Sequence, residues 1–130
     1  MADPGSPGWV LRRCSDDALL CDRLRLGESF MQRFRGLMGR ASLPEGEGLY
    51  LPDTSIHMMF MRFPIDALFV SGEEPDGTRR AVALREKLPP WRGIVLPVRG
   101  ARGVIELPAG TLARFRVQVD DRFAIEAGPR

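Results

Sequence analysis

Ile56-His57-Met58-Met59-Phe60-Met61 runs through Arg62-Phe63-Pro64 into Ile65-Asp66-Ala67-Leu68-Phe69-Val70, and these fifteen residues decide the fold. Each half is a short apolar run rich in the residues strands favour. Pro64 cannot donate to a ladder, so it marks a strand start or a bend. On an extended first half, His57, Met59 and Met61 share one face, while Met58, Phe60 and Arg62 share the other.

The same rhythm of short run and turn extends in both directions. Upstream, Trp9-Val10-Leu11 starts a strand, Ser15-Asp16-Asp17 turns the chain, and Ala18 to Leu26 gives a second strand. Leu43 to Pro52 is a loop with a brief strand at Leu49-Tyr50-Leu51. Downstream, the charged turn Gly72–Gly77 leads to Ala81-Val82-Ala83-Leu84. Pro89-Pro90-Trp91-Arg92-Gly93 is a stiff loop. Strands are expected over Ile94–Val98, interrupted by Pro97, over Ala101–Leu107, ended by Pro108, and over Arg122–Glu126. Thr111 to Phe115 reads as one helical turn with Thr111 as its cap.

The clearest helix signal lies at 30–38. Ser29 and Gln32 form a capping box. Phe30, Phe34, Leu37 and Met38 then fall on one face, and Gly39 sits where a left-handed cap belongs.

The 130 residues are 44% hydrophobic and 28% charged, the balance of a globular domain rather than a disordered chain. Fourteen Gly and eleven Pro suit many short elements and argue against a helix bundle. The expectation is a predominantly β, α+β domain: a curled antiparallel sheet or small barrel with one clear short helix at about 30–38. An open mixed sheet with the helix on one face is the alternative. Residues 1–8 read as a flexible lead-in, and 9–130 as a single globular domain.

Nineteen basic residues against seventeen acidic ones leave a net charge of +2, too small for a general nucleic-acid binder. Only Lys87 is a lysine; the rest are arginines, whose planar forks grip carboxylate or phosphate at two points. Cys14 and Cys21 match no zinc or redox spacing and read as buried free thiols. No apolar run approaches the roughly 18 residues of a membrane span. Met1 to Gly8 lacks the features of a secretory signal, so a cytoplasmic protein is expected.

Several residues stand out as candidates for chemistry. His57 is the single histidine. With the neighbouring methionines it has the donor types of a Cu(I) site, although methionines serve equally as adaptable core filler. As a general base it has Asp53 and Asp66 nearby in sequence to orient its ring. Asp66 interrupts an apolar run, and Glu106 lies between Ile105 and Leu107. Buried carboxylates need partners, and the arginines at 35, 40 and 62 are available. Trp91, presented by two prolines with Arg92 beside it, can cover a pocket, stack on a ring, or plug the end of a barrel.

Three ordered motifs resemble one family: Arg33-Phe34-Arg35-Gly36-Leu37-Met38-Gly39-Arg40; Ile56 through Asp66; and Leu88-Pro89-Pro90-Trp91-Arg92 with Val104-Ile105-Glu106-Leu107-Pro108-Ala109-Gly110. The chain is similar over most of 18–126 to the bacterial and archaeal domain of unknown function 192. That resemblance implies a compact β-rich domain and carries no activity with it.

Three function classes follow from the residues. The first is a ligand-binding or interaction module for a small anionic or aromatic ligand, with His57, Arg62, Asp66, Trp91, Arg92 and Glu106 as the candidate binding residues. The second is a small hydrolase or lyase using His57 as base with Asp66 or Glu106. The third is RNA or nucleoprotein association through arginines 33, 35, 40, 99 and 102. None requires a metal or a cofactor.

Overall fold

Short apolar runs divided by Gly and Pro turns become nine strands and one helical turn in the computed structural model, which describes residues 8–27 and 40–128. The strands are β1 (Trp9–Arg13), β2 (Leu19–Leu26), β3 (Glu47–Leu51), β4 (Ile56–His57), β5 (Ile65–Val70), β6 (Arg79–Leu88), β7 (Ile94–Val95), β8 (Gly103–Pro108) and β9 (Arg122–Ala127). The helical turn, α1, is Thr111–Arg114. Seven strands close into a barrel in the order β1-β2-β3-β8-β5-β6-β9, and β4 and β7 pair as a separate two-stranded sheet. The barrel is thus the realised alternative, not the open mixed sheet. The helix expected at 30–38 lies outside the described residues, as does most of the expected lead-in.

Every barrel neighbour is antiparallel except β2 and β3, which run parallel. A parallel pair needs a crossover of about a dozen residues or more, and the chain between Leu26 and Glu47 supplies that length. The parallel pairing within the expected barrel had no signal in the sequence, because direction is not encoded in hydrophobic alternation.

β5 is buried at all six positions, as its nearly unbroken apolar run requires. Its register with β8 places Ala67 opposite Glu106, Leu68 opposite Ile105 and Phe69 opposite Val104. Opposite residues share a face, so two separate cores result. Leu68, Val70, Ile105 and Leu107 face inward with Leu11, Leu20, Leu24 and Phe123. Ile65, Ala67, Phe69 and Val104 face outward and are covered by Ile56, Met58, Met61, Phe63 and Val95. The β4–β7 sheet and its loops form that cover.

The expected strand over 56–61 is extended only at Ile56 and His57. Beyond it the backbone turns: the Met61 amide donates to the Met58 carbonyl at 3.1 Å, and Phe60 has φ of 68°. Met58 and Met61 are therefore both buried, three apart, while Met59 and Phe60 are exposed. The period-two assignment of His57, Met59 and Met61 to one face fails for that reason. Ile94–Val98 likewise shortens to Ile94–Val95.

One end of the barrel is stoppered by α1, whose Leu112 joins the inner core along with Val117. Its cap position is Gly110 rather than Thr111, and the cap makes no side-chain hydrogen bond of its own. Asp66 replaces it from a distance. The carboxylate accepts hydrogen bonds from the Leu112 amide at 2.9 Å, the Gly110 amide at 3.1 Å and, through its other oxygen, the Lys87 amide at 2.9 Å. Lys87 has φ of 52° and sits near an irregularity in the β5–β6 register. The fully buried Asp66 is thus satisfied by main-chain N–H groups, not by the arginine pair expected from sequence. A carboxylate that accepts several backbone amides is well compensated for lost water.

Both cysteines are thiols, Cys14 half-buried and Cys21 buried. The Cys21 S–H donates to the Gly46 carbonyl at 3.1 Å. Burial pushes its pKa up to about 12.

Two outcomes follow. Asp66→Ala leaves one buried and two part-buried amides without their acceptor and should lower urea-unfolding stability by about 3 kcal/mol, with Asp66→Asn intermediate. At pH 8 a disulfide-exchange reagent should label one thiol in the native protein, Cys14, and the second only upon denaturation. Equal labelling rates would contradict the enclosure of Cys21.

Candidate functional site

The cover layer carries most of the residues singled out above. Its two segments are tied by main-chain bonds: the Met58 amide donates to the Gly93 carbonyl at 2.8 Å, the Trp91 amide to the Met58 carbonyl at 2.7 Å, and the Val98 amide to the Thr54 carbonyl at 2.8 Å. Close approach of the two loops needs a glycine at 93. A Cβ there would lie 2.7 Å from Met58 Cγ and 2.9 Å from the Pro89 carbonyl oxygen.

This crossing brings Phe60 and Trp91 together. Their rings meet edge to face with centroids 5.0 Å apart. Both stand in the left-handed region, Phe60 at φ 68° and Trp91 at φ 67°. A non-glycine residue held there costs about 1 kcal/mol or more. The two aromatics remain 48% and 55% exposed, and Ile94 and Leu96, on the segment that follows Trp91, are 67% and 73% exposed. Trp91 therefore lies on the outer surface, and the barrel end it was a candidate to plug is filled by Leu112 instead. Arg62 and Arg92, close in sequence to Phe60 and Trp91, are exposed.

His57 is half-buried on β4, opposite Ile94 of β7. It borders a shallow cavity of about 140 Å³ with Ser55, Ile56, Ile94, Leu96 and Pro97. Pockets that enclose a drug-sized ligand start at roughly 300 Å³. Glu106 is fully buried between Leu49 and Ala67, its cross-strand neighbours, on the outward face of the barrel beneath this layer.

Five of the six candidates, His57, Arg62, Trp91, Arg92 and Glu106, are thus carried on or under one side of the barrel. Asp66 is not among them. It precedes Ala67 on β5 and points to the opposite face, where its carboxylate is engaged by three amides. A paired Asp66–Glu106 acid and base is ruled out by this alternation. Met58 and Met61 are enclosed in the outer core and Met59 is exposed, so the methionines act as packing and surface in turn. Among the described residues no three His, Cys, Asp or Glu side chains gather as a metal-ligand set. Among those residues, too, no helix is long and apolar enough to cross a membrane.

Sequence reasoning overlooked Phe60, Ile94 and Leu96. The Met58–Met61 turn exposes the first, and the others flank buried Val95 on the outward side of the β7 segment. A run of apolar residues gives no warning that alternate members will face solvent.

The comparisons with known proteins agree with this architecture. The family model described as Uncharacterized ACR, domain of unknown function 192, matches residues 13–125. A UPF0127 protein of Thermococcus sibiricus is 34% identical over 106 residues, which cover 78% of this chain and 64% of that protein. The chain therefore spans just under two thirds of that relative. A UPF0127 protein of Pyrococcus furiosus is 33% identical over 106 residues, covering 77% and 84%. The crystal structure of a protein of unknown function from Novosphingobium aromaticivorans DSM 12444 superposes with a TM-score of 0.70 at 23% identity, over 88% of this chain and 81% of that one. That last likeness is one of fold.

The backbone strain at Trp91 makes a stability test. Trp91→Gly relieves a left-handed cost of about 1 kcal/mol. It loses a ring contact worth about the same and adds up to about 1 kcal/mol of unfolded-state freedom. The variant should unfold in urea within about 1 kcal/mol of wild type. A loss above about 3 kcal/mol, the range of an aromatic removed from a core, would show that the indole is a packing element instead.

Proposed function

This chain belongs to the family of domain of unknown function 192, and we propose that it is an interaction module whose cover layer docks an apolar segment of a partner protein bearing acidic side chains. The observation that carries the reading is the pair Phe60 and Trp91, held in strained left-handed backbone and left half in water. Strain of this kind is retained where the surrounding structure over-determines it, and it concentrates at functional positions. Exposed aromatics grouped with Ile94 and Leu96 are the apolar centre that interfaces use as anchors.

Two further features support a macromolecular partner over a small molecule on this face. The cavity beside His57 is too shallow to enclose a ligand. Arg62 and Arg92 give a basic rim, which favours an acid-bearing partner and steers its approach. Both cysteines being thiols, the setting we propose is the reducing cytoplasm.

Peptide display on the immobilised wild-type protein, with counter-selection on Trp91→Gly, tests this. Peptides combining aromatic or aliphatic residues with Asp or Glu should be enriched. Their affinity should fall at least about tenfold for Phe60→Gly, Trp91→Gly and Arg92→Glu, and weaken with added salt. Failure to enrich any peptide, or enriched peptides that bind the variants as tightly as wild type, would overturn the proposal.

A further inference from the structure

Among the described residues, the end of the barrel opposite α1 is open. Trp9 opens β1, Leu26 ends β2, Tyr50 lies near the end of β3, Arg79 opens β6, and Ile125 lies near the end of β9. Register turns all of them inward: Trp9 pairs with Leu24, Tyr50 with Ile105, Arg79 with Phe123, and Ile125 with Leu11, all partners that belong to the inner core. With Glu73 at the rim they line a cavity of about 290 Å³. That is twice the cavity beside His57 and close to the lower bound of ligand pockets, which occur in the mouths of barrels.

The polar groups at this mouth are arranged for an anion. The Arg79 guanidinium lies over the Tyr50 ring, 5.0 Å from its centroid. Its recorded hydrogen bond is a long one, 3.4 Å to the Ser71 carbonyl. Among the described residues no carboxylate lies within ion-pair distance of it, although Arg12, Arg13, Arg80 and Arg122 each hold one. Stacking on an aromatic face leaves the fork of N–H donors at the edge of the guanidinium available. The Tyr50 ring is itself fixed, because it lies against Gly103: a Cβ there would meet Tyr50 Cε1 and Oη at 2.5 Å. Independently, the Trp9 Nε1–H is enclosed and finds no acceptor among the described residues. Such a donor costs about 1–3 kcal/mol unless something supplies an oxygen.

We propose that this mouth is a binding site for a small organic monocarboxylate carrying a flat apolar ring. The ring lies among Trp9, Leu26 and Ile125, and the carboxylate meets Arg79. Glu73, of opposite sign to Arg79 at the rim, disfavours a second negative charge, so monoanions are selected over phosphate esters. The site lies on different residues from the cover layer and does not depend on the function proposed for that layer.

Titration of the 15N-labelled wild-type protein with phenylacetate, benzylamine and phenyl phosphate, followed by two-dimensional NMR, tests this. Phenylacetate should shift the Trp9 indole and Arg79 Nε signals saturably below about 20 mM, while benzylamine should not. Arg79→Gln should weaken the binding at least about tenfold, and Arg79→Lys severalfold. If Arg79→Gln does not fold, Arg79→Lys and the mapping of shifts on wild type carry the test. No saturable shift, shifts centred on Trp91 rather than Trp9, or tighter binding of phenyl phosphate than of phenylacetate would overturn it.

Discussion

The two-sided burial of β5 is the constraint on which everything else rests. Ala67 and Phe69 face one core while Leu68 and Val70 face the other, so the strand is a wall shared by two apolar compartments. A strand in that position cannot slip by one residue without moving five apolar side chains into the wrong compartment and carrying Asp66 away from its amides. Those amides come from the end of β6 and from α1. One carboxylate therefore fastens the wall, the neighbouring strand and the stopper of the barrel at a single point. Charge is tolerated at this depth because main-chain donors surround it.

The division into compartments separates two kinds of surface. The inner core is closed by α1 at one end and narrows to the aromatic mouth at the other. The outer core is closed by a lid of two very short strands whose loops carry the exposed aromatics. Residues of the outer core, such as Met58 and Met61, anchor the lid from below. Phe60 and Trp91 can therefore stand in solvent without the lid lifting. Burial of one pair of side chains sustains the display of another.

Much of the scaffold was legible in the sequence. The turn residues and apolar runs located every strand, drawing only the two shortest, β4 and β7, too long, and the β-rich barrel followed from them. The family was legible too, because three spaced motifs are specific. Direction was not: nothing in Leu19–Leu26 or Glu47–Leu51 announces that they pair in parallel. Nor was the fate of Asp66. A carboxylate amid apolar residues advertises a partner, but backbone amides have no sequence signature, so an arginine was the natural and mistaken choice. The candidate site was half legible. Trp91 and Arg92 stood out through their prolines, whereas Phe60 was hidden in a run that reads as a strand. A positive φ at a phenylalanine leaves no trace in composition. The mouth residues, Trp9, Tyr50 and Arg79, are distant in sequence and meet only through the barrel register.

The barrel is not evenly stitched. β6 and β9 share only the pairs Arg79–Phe123 and Arg80–Arg122, supplemented by Ala81 exchanging main-chain bonds with Asp120 and Asp121, while β5 and β8 share six. That seam is where the closed sheet can gape with least loss of hydrogen bonding, and Arg79 stands directly on it. The hinge of such breathing would be β3, which lies opposite that seam in the strand order, while the aperture between Arg79 and Tyr50 widens. A cylinder with one weak stave can thus vary its bore without unrolling.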